Sequence, residues 1–306
     1  MYFQTLDDKT ECVGVYKDGR LHFDEIPSGL LRTWRAGGSI SDSAIEYAWV
    51  FCGGKSLKEA CPPDLLEEYE ASIRKMSAFY KSFKIAKVNF DDHCIFDLIP
   101  HDSLVKFCEI KNKITEHVFE NFEKPINYEF IRDIHRLTAK ISSQSLNVDA
   151  SDCKELFVTT QNRLGINKIL QLRKHIDYNM YGTVTGRLTT NRDSFPILTM
   201  KKEFRKILKP TNDWFVSLDY NGAEVRTLLS LTGEKQPKID IHEWNALNLF
   251  EQEISREECK TRFFAWLYDP SSDIISTKLY DKNVALEKWY DGEIIKTPFD
   301  REIQVE

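Results

Sequence analysis

The stretch from Trp214 to Gly233, WFVSLDYNGAEVRTLLSLTG, limits the possible folds more than any other. It begins with an apolar run, Phe215-Val216-Ser217-Leu218, that predicts a short buried strand. The run stops at Asp219, where polar residues interrupt it. Ala223, Leu228 and Leu231 then recur at helical spacing with Glu224 and Arg226 among them, which predicts a helix over 222–231. A carboxylate at the end of a core strand is well placed to hold a metal ion. The strand is rigid, its end is solvated, and the following helix fixes the approach from the other side. A second reading makes Asp219 only the N-cap of that helix.

The chain has 306 residues, enough for two or three domains with a sizeable core, and 42% of them are hydrophobic. No apolar run approaches the ~18 residues of a membrane span. The opening MYFQTLDDK is acidic and polar, unlike a signal peptide. The seven cysteines are scattered and form no C-x-x-C pair. That argues against a zinc site and a secreted disulfide framework, and predicts a cytoplasmic protein.

Net charge is −6, but its distribution is uneven. Residues 163–209 carry eleven basic side chains: Arg163, Lys168, Arg173, Lys174, Arg187, Arg192, Lys201, Lys202, Arg205, Lys206 and Lys209. Only Asp177, Asp193 and Glu203 oppose them, a local balance of +8. A basic stripe on an acidic protein is the electrostatic footprint of a polyanion partner. A solvated charged face is the plainer alternative.

Before that stripe the texture changes twice. Residues 12–23 predict a hairpin turning at Asp18-Gly19. Ile45 to Cys52 predicts another strand, and so does Lys84 to Phe90. Pro62-Pro63 opens a helix in which Leu65, Tyr69, Ile73, Met76 and Phe83 share one face. Residues 103–147 predict two long helices separated by Pro125. Helical patterns return over 236–292.

Three short patterns carry chemistry. The first is Thr185-Gly186-Arg187-Leu188-Thr189-Thr190, the second is Asp219-Tyr220-Asn221-Gly222-Ala223-Glu224-Val225-Arg226, and the third is Arg256-x3-Lys260-x3-Phe264-x3-Tyr268. A spacing of four lines Arg256, Lys260, Phe264 and Tyr268 along one helix face. Two cations followed by two aromatics can grip a triphosphate and stack on a sugar or base. An ordinary amphipathic helix, aromatics inward and cations outward, would give the same letters.

Together the three patterns resemble family A DNA polymerases, the bacterial DNA polymerase I and phage replicase type. The family's TGRLSS corresponds to 185–190. Its motif A, DYSQIELR, corresponds to 219–226, and its motif B, R-x3-K-x3-F-x3-Y-G, to 256–268. Asp240-Ile241-His242 lies between A and B, as the family's Asp-Ile-His does. The resemblance covers roughly 160–306. It implies Mg²⁺ held by Asp219 with the backbone carbonyl of Tyr220. Glu224 would be a steric gate against a ribose 2′-hydroxyl. Arg256 and Lys260 would bind the dNTP triphosphate, Phe264 would pack on its sugar, and Tyr268 would stack near the templating base. Tyr220 and His242 would complete the dNTP pocket. Arg187 would touch the primer-template minor groove, Thr185 would also bind DNA, and Lys201, Lys202, Arg205 and Lys206 would lie along the duplex.

The departures shape the expectation. Asp269 stands where motif B has glycine, and Asn221-Gly222 replaces Ser-Gln. Motif C, the His-Asp turn that supplies a second metal carboxylate, is missing after 268. His101-Asp102-Ser103 copies its form upstream, but following Pro100 and leading into a helical pattern it reads as an N-cap at Asp102 or Ser103. Residues 1–102 lack the Asp-x-Glu of a proofreading exonuclease. Asp7-Asp8-Lys9-Thr10-Glu11 has the wrong spacing, and Asn89-Phe90-Asp91-Asp92 only faintly resembles a second exonuclease motif.

The expected fold class is therefore α+β, a right-hand polymerase with partial palm, thumb and fingers behind a small α/β domain. The expected divisions are 1–102 for the α/β domain, 103–160 for the thumb, 161–235 for the first half of the palm and 236–306 for the fingers. The expected function is template-directed DNA synthesis by a split or shortened enzyme, inactive alone. Its partners would be primer-template DNA, dNTP, a second polypeptide carrying the rest of the palm, and a processivity factor. A non-catalytic primer-template or replisome-binding module is the alternative. A permuted palm using Asp102 is a third.

Overall fold

The computed structural model describes residues 2–6, 14–23, 27–33, 45–90, 93–142, 144–250, 252–269, 271–275, 279–297 and 300–305. Asp7 to Glu11, with Asp91 and Asp92, lie outside them. The chain divides into two compact units, Met1–Asp213 and Trp214–Glu306.

The first unit opens with strands β1 (Tyr2–Leu6), β2 (Gly14–Lys17), β3 (Arg20–His22), β4 (Arg32–Thr33) and β5 (Glu46–Tyr47). They form one mixed sheet in the order β3-β2-β1-β4-β5. β1 runs antiparallel to β2 and parallel to β4. The β2–β3 hairpin turns at Asp18-Gly19, both at positive φ, as the sequence predicts. The pattern Ile45 to Cys52 is not a strand throughout. Two residues pair as β5, and the chain then winds into α1 (Ala48–Phe51), burying Ala48, Val50 and Phe51.

Helix α2 (Pro63–Ile85) starts with proline at its first turn. It absorbs the start of the strand expected over Lys84 to Phe90, and the chain leaves it through Lys87 at positive φ. Local β propensity there loses to continuation of an established helix. Helices α3 (His101–Asn121) and α4 (Tyr128–Ser142) are the predicted pair. α3 starts at His101 with Pro100 in the cap position and no side-chain cap, so neither Asp102 nor Ser103 caps it. The motif C look-alike thus lies in a helix.

Ile110, Ile114 and Val118 of α3 share a core with Val15, Tyr47, Phe51 and Tyr128. The buried Tyr128 hydroxyl accepts from the Tyr47 N–H at 2.7 Å. The N-terminal sheet and the helices expected to form a separate thumb are therefore packed through one apolar core, and the 102/103 boundary falls inside α3.

A second core in this unit centres on Phe195, Ile166, Ile207 and Phe204. It joins helix α5 (Thr160–Leu170), the two-stranded β6 (Tyr178–Asn179) and β7 (Thr189–Thr190), and a 3₁₀ turn over Lys202–Ile207. The Thr159 hydroxyl accepts from the Asn162 N–H and caps α5.

The second unit holds helices α6 (Ala223–Leu231), α7 (Ile241–Asn248), α8 (Arg256–Tyr268) and α9 (Lys282–Trp289), then the hairpin β8 (Ile294–Lys296) and β9 (Glu302–Gln304). Its core is Val225, Leu228, Leu229, Ile241, Phe263, Trp266, Ile275 and Tyr280.

The predicted buried strand before α6 is absent. Phe215, Val216 and Leu218 are 66%, 80% and 91% exposed, and residues 214–220 belong to no strand. An apolar run becomes a buried strand only beside a neighbour that satisfies its backbone groups. Among the described residues, Phe215 to Tyr220 make no hydrogen bond.

Candidate functional site

Helix α8 has a buried face and an exposed one. Cys259, Phe263 and Trp266 are its buried residues, at i, i+4 and i+7. Arg256, Lys260 and Tyr268 lie off the core face, while Phe264 at its edge is half-buried against the core. Phe264 and Tyr268 stack with ring centroids 5.8 Å apart and planes 14° from parallel. The fully buried aromatics of α8 are Phe263 and Trp266; Phe264 is half-buried against the same core and Tyr268 is exposed. Ser255 caps the helix through its hydroxyl.

The helix end is rebuilt around Asp269, which replaces the expected glycine. The Asp269 carboxylate accepts from the backbone N–H and the hydroxyl of Ser271. The Lys282 ammonium donates to the carbonyls of Asp269, at 2.5 Å, and Ser272, at 2.7 Å. A cation on the last carbonyls complements the helix dipole.

The turn after Asp219-Tyr220 is pinned at its far side. Gly222 sits at φ +63°, and a Cβ there would clash with Ile241 Cγ2. Asn221 Oδ1 accepts from the Ile241 N–H at 2.8 Å and from Arg226 Nη2 at 3.1 Å. Its Nδ2 donates to Asp240 Oδ2 through a short contact. Arg226 also donates to the carbonyls of Asn221, Pro237 and Ile239.

Asp240 caps α7 by accepting from the N–H groups of His242 and Glu243, and it accepts from Arg256 Nη2 at 2.9 Å. The Arg256 contact, with Asn221 and the two N–H groups, holds its carboxyl far below the usual carboxylate range despite partial burial. Arg256 is stabilised as a cation by Asp240 first and Glu257 second.

Each expected site residue now has a place. Glu224, in the first turn of α6, accepts from the Tyr268 hydroxyl at 2.5 Å. Asp219, Tyr220 and Lys260 are exposed, and among the described residues none of the three makes a side-chain hydrogen bond or ion pair. Asp219 does not cap α6; Gly222 occupies that position. His242 departs from expectation. It is only 3% exposed, with its ring 5.8 Å from that of Phe264 and Nδ1 without a hydrogen-bond partner among the described residues. Burial is the main cause that lowers its pKa. It supports Phe264 from behind rather than facing solvent. Arg256 is also less available than expected, because Asp240 and Glu257 already engage it. The linking roles of Asn221, Arg226 and Asp240 were missed in the sequence. The Asn-Gly pair and the Asp two residues before a histidine were the available signals.

Asp219 and the Tyr220 carbonyl are hard oxygen donors of the type Mg²⁺ takes, and that ion is commonly held by one or two carboxylates plus substrate phosphates. Among the described residues no cluster of three His, Cys, Asp or Glu side chains is placed to hold a metal.

The first unit carries exposed basic residues. The 3₁₀ turn Lys202–Ile207 buries Phe204 and Ile207 and turns Lys202, Arg205 and Lys206 outward. Lys206 pairs with Glu155 at 3.2 Å, and the Lys201 ammonium lies 5.4 Å from the Phe204 ring centroid. Of the eleven basic residues over 163–209, all but Lys209 are exposed. Thr185 and Arg187 lie in the exposed loop between β6 and β7, where the Thr183 hydroxyl donates to the Arg187 carbonyl at 2.8 Å. No helix among the described residues is long and apolar enough to cross a membrane.

The chain is similar to DNA polymerase I of Chloroflexus aurantiacus, at 31% identity over 124 residues. That stretch is 35% of this chain and 13% of the length of the relative. No protein-family profile and no solved structure matches the chain.

Proposed function

We propose that this chain is the part of a polymerase I-type enzyme that grips nucleotide and duplex, and that it takes part in template-directed DNA synthesis. The observation that carries this is the face of α8. Arg256, Lys260 and Tyr268 lie away from the core, with Phe264 half-buried between His242 and Tyr268, in the unit that also holds the exposed carboxylate of Asp219. The partial similarity to a DNA polymerase I supports the same reading.

In the reaction, a primer 3′-oxygen attacks the α-phosphorus of a dNTP, the bond to the oxygen bridging the α- and β-phosphates breaks, and pyrophosphate leaves. Positioning and charge neutralisation do most of the work in such transfers. Arg256 and Lys260 neutralise the triphosphate, Phe264 and Tyr268 pack on sugar and base, and Glu224 limits space at the 2′ position. Asp219 and the Tyr220 carbonyl would hold Mg²⁺, which supplies charge stabilisation to the phosphates when bound. The basic face over 163–209 binds the duplex backbone.

Asp219 is one carboxylate where this chemistry uses two. The second is proposed to come from a palm segment carrying a His-Asp turn, supplied in the assay as a separate fragment. Primer extension by the 306-residue chain should be negligible alone. It should appear with such a partner and vanish again in Asp219→Ala. Robust extension by the chain alone would overturn the divided active site.

A non-catalytic primer-template-binding module is the second reading, favoured by the engagement of Arg256 with Asp240. Mg²⁺-dependent capture of the matched dNTP on a primer-template, lost in Lys260→Ala, separates the two in favour of the enzyme.

A further inference from the structure

Asn221 joins all the elements of the second unit that carry candidate site residues. It directly follows Asp219-Tyr220, and its backbone carbonyl accepts from Arg226 Nε at 2.7 Å. Its side-chain oxygen accepts from the first N–H of α7 and from Arg226 Nη2, and its side-chain nitrogen donates to Asp240. Asp240 in turn accepts from Arg256 at the first residue of α8. A single carboxamide thus couples the turn after the Asp219 segment to α6, α7 and α8. Few side chains could replace it, because the site needs two acceptances and one donation at fixed angles. Gly222 lets the turn approach α7 closely enough for these bonds.

We infer that Asn221, acting through Asp240, is the positioning residue that sets Asp219 relative to the triphosphate-binding cations of α8. This deepens the polymerase reading and rests on it. Asn221 need not touch substrate. Its donation to Asp240 helps hold the carboxylate that orients Arg256, so the turn that follows Asp219-Tyr220 is anchored to the phosphate side.

The test uses the full chain and two readouts. In Asn221→Ala, backbone hydrogen exchange should accelerate at Ile241 to Glu243 and also at 256–260, while α5 in the first unit is unchanged. Mg²⁺-dependent capture of the matched dNTP on a primer-template should weaken about tenfold, with affinity for primer-template alone unchanged. Asn221→Asp should be worse than alanine, because it loses the N–H donor and sets a carboxylate against Asp240. A space-filling role would make aspartate the milder change. Exchange changes confined to 241–243, or an aspartate variant milder than alanine, would overturn the inference. If Lys260→Ala abolishes capture while Asn221→Ala preserves it, the polymerase reading stands and the positioning role fails. If neither wild type nor variant captures nucleotide, the polymerase reading fails, and exchange at 256–260 alone decides whether Asn221 couples the elements.

Discussion

The Tyr268 hydroxyl donates to Glu224 Oε2 at 2.5 Å, joining the last turn of α8 to the first turn of α6 across 44 residues of sequence. The proposed sugar gate is therefore oriented by a residue of the proposed base-stacking ladder. The bond is exposed, so its loss should cost little stability, about 1 kcal/mol or less. In a double-mutant cycle, Tyr268→Phe and Glu224→Gln should couple in nucleotide capture. Independent effects of the two changes would show that the bond does not orient the gate.

The two faces of α8 predict different outcomes for neighbouring phenylalanines. Phe263 is fully buried, so Phe263→Ala should cost about 3–5 kcal/mol in denaturant unfolding. Phe264 is half-buried against the core and stacks on Tyr268, so Phe264→Ala should cost less, about 1–2 kcal/mol, and should also weaken nucleotide capture. The reverse pattern would mean that α8 is rotated relative to its core.

Gly222→Ala should destabilise the second unit by at least about 1–2 kcal/mol, the scale of a left-handed backbone with a Cβ. The new Cβ would also clash with Ile241 Cγ2. Thermal unfolding measures the loss; an unchanged midpoint would place the turn farther from α7.

Tyr280 predicts alkaline instability. Its hydroxyl donates to Asn245 Oδ1 at 2.8 Å, and burial pushes its pKa from 10.0 up to about 12. Between those values the folded chain holds a proton that the unfolded chain has released, so stability falls as pH rises. Below about pH 10 the contribution is complete. The loss is on the order of 2–3 kcal/mol by about pH 12. Unfolding followed across this range should show the slope in wild type and a shallower one in Tyr280→Phe.

The basic face predicts a salt signature. Lys202 and Arg205 point outward from a turn anchored by Phe204 and Ile207. Replacing both by alanine should weaken duplex binding at all sequences alike. It should also flatten the dependence of log affinity on log salt by about 2, one for each phosphate left without its cation. An unchanged slope would move the duplex elsewhere.

Local patterns in the sequence determined much of this protein. The hairpin at Asp18-Gly19, the proline start of α2, the α3–α4 pair and the solvent face of α8 each depend on residues a few positions apart, so local rules reach them. The four-residue ladder and the Asp219 segment were also legible, because they are patterns of residue type. The tertiary structure alone decided whether those patterns were satisfied. Phe215 to Leu218 has strand composition but no pairing neighbour among the described residues, and pairing is a long-range event that composition cannot supply. Lys84 lies in a helix because the preceding turns of α2 were already formed. His242 is buried under Phe264 because α7 packs on α8. Asp240 holds Arg256 and Tyr268 holds Glu224 because three helices converge, bringing together residues 16 and 44 positions apart. The sequence named the groups that carry charge and rings, while the packing of α6, α7 and α8 determined which of them are joined and which remain open to a partner.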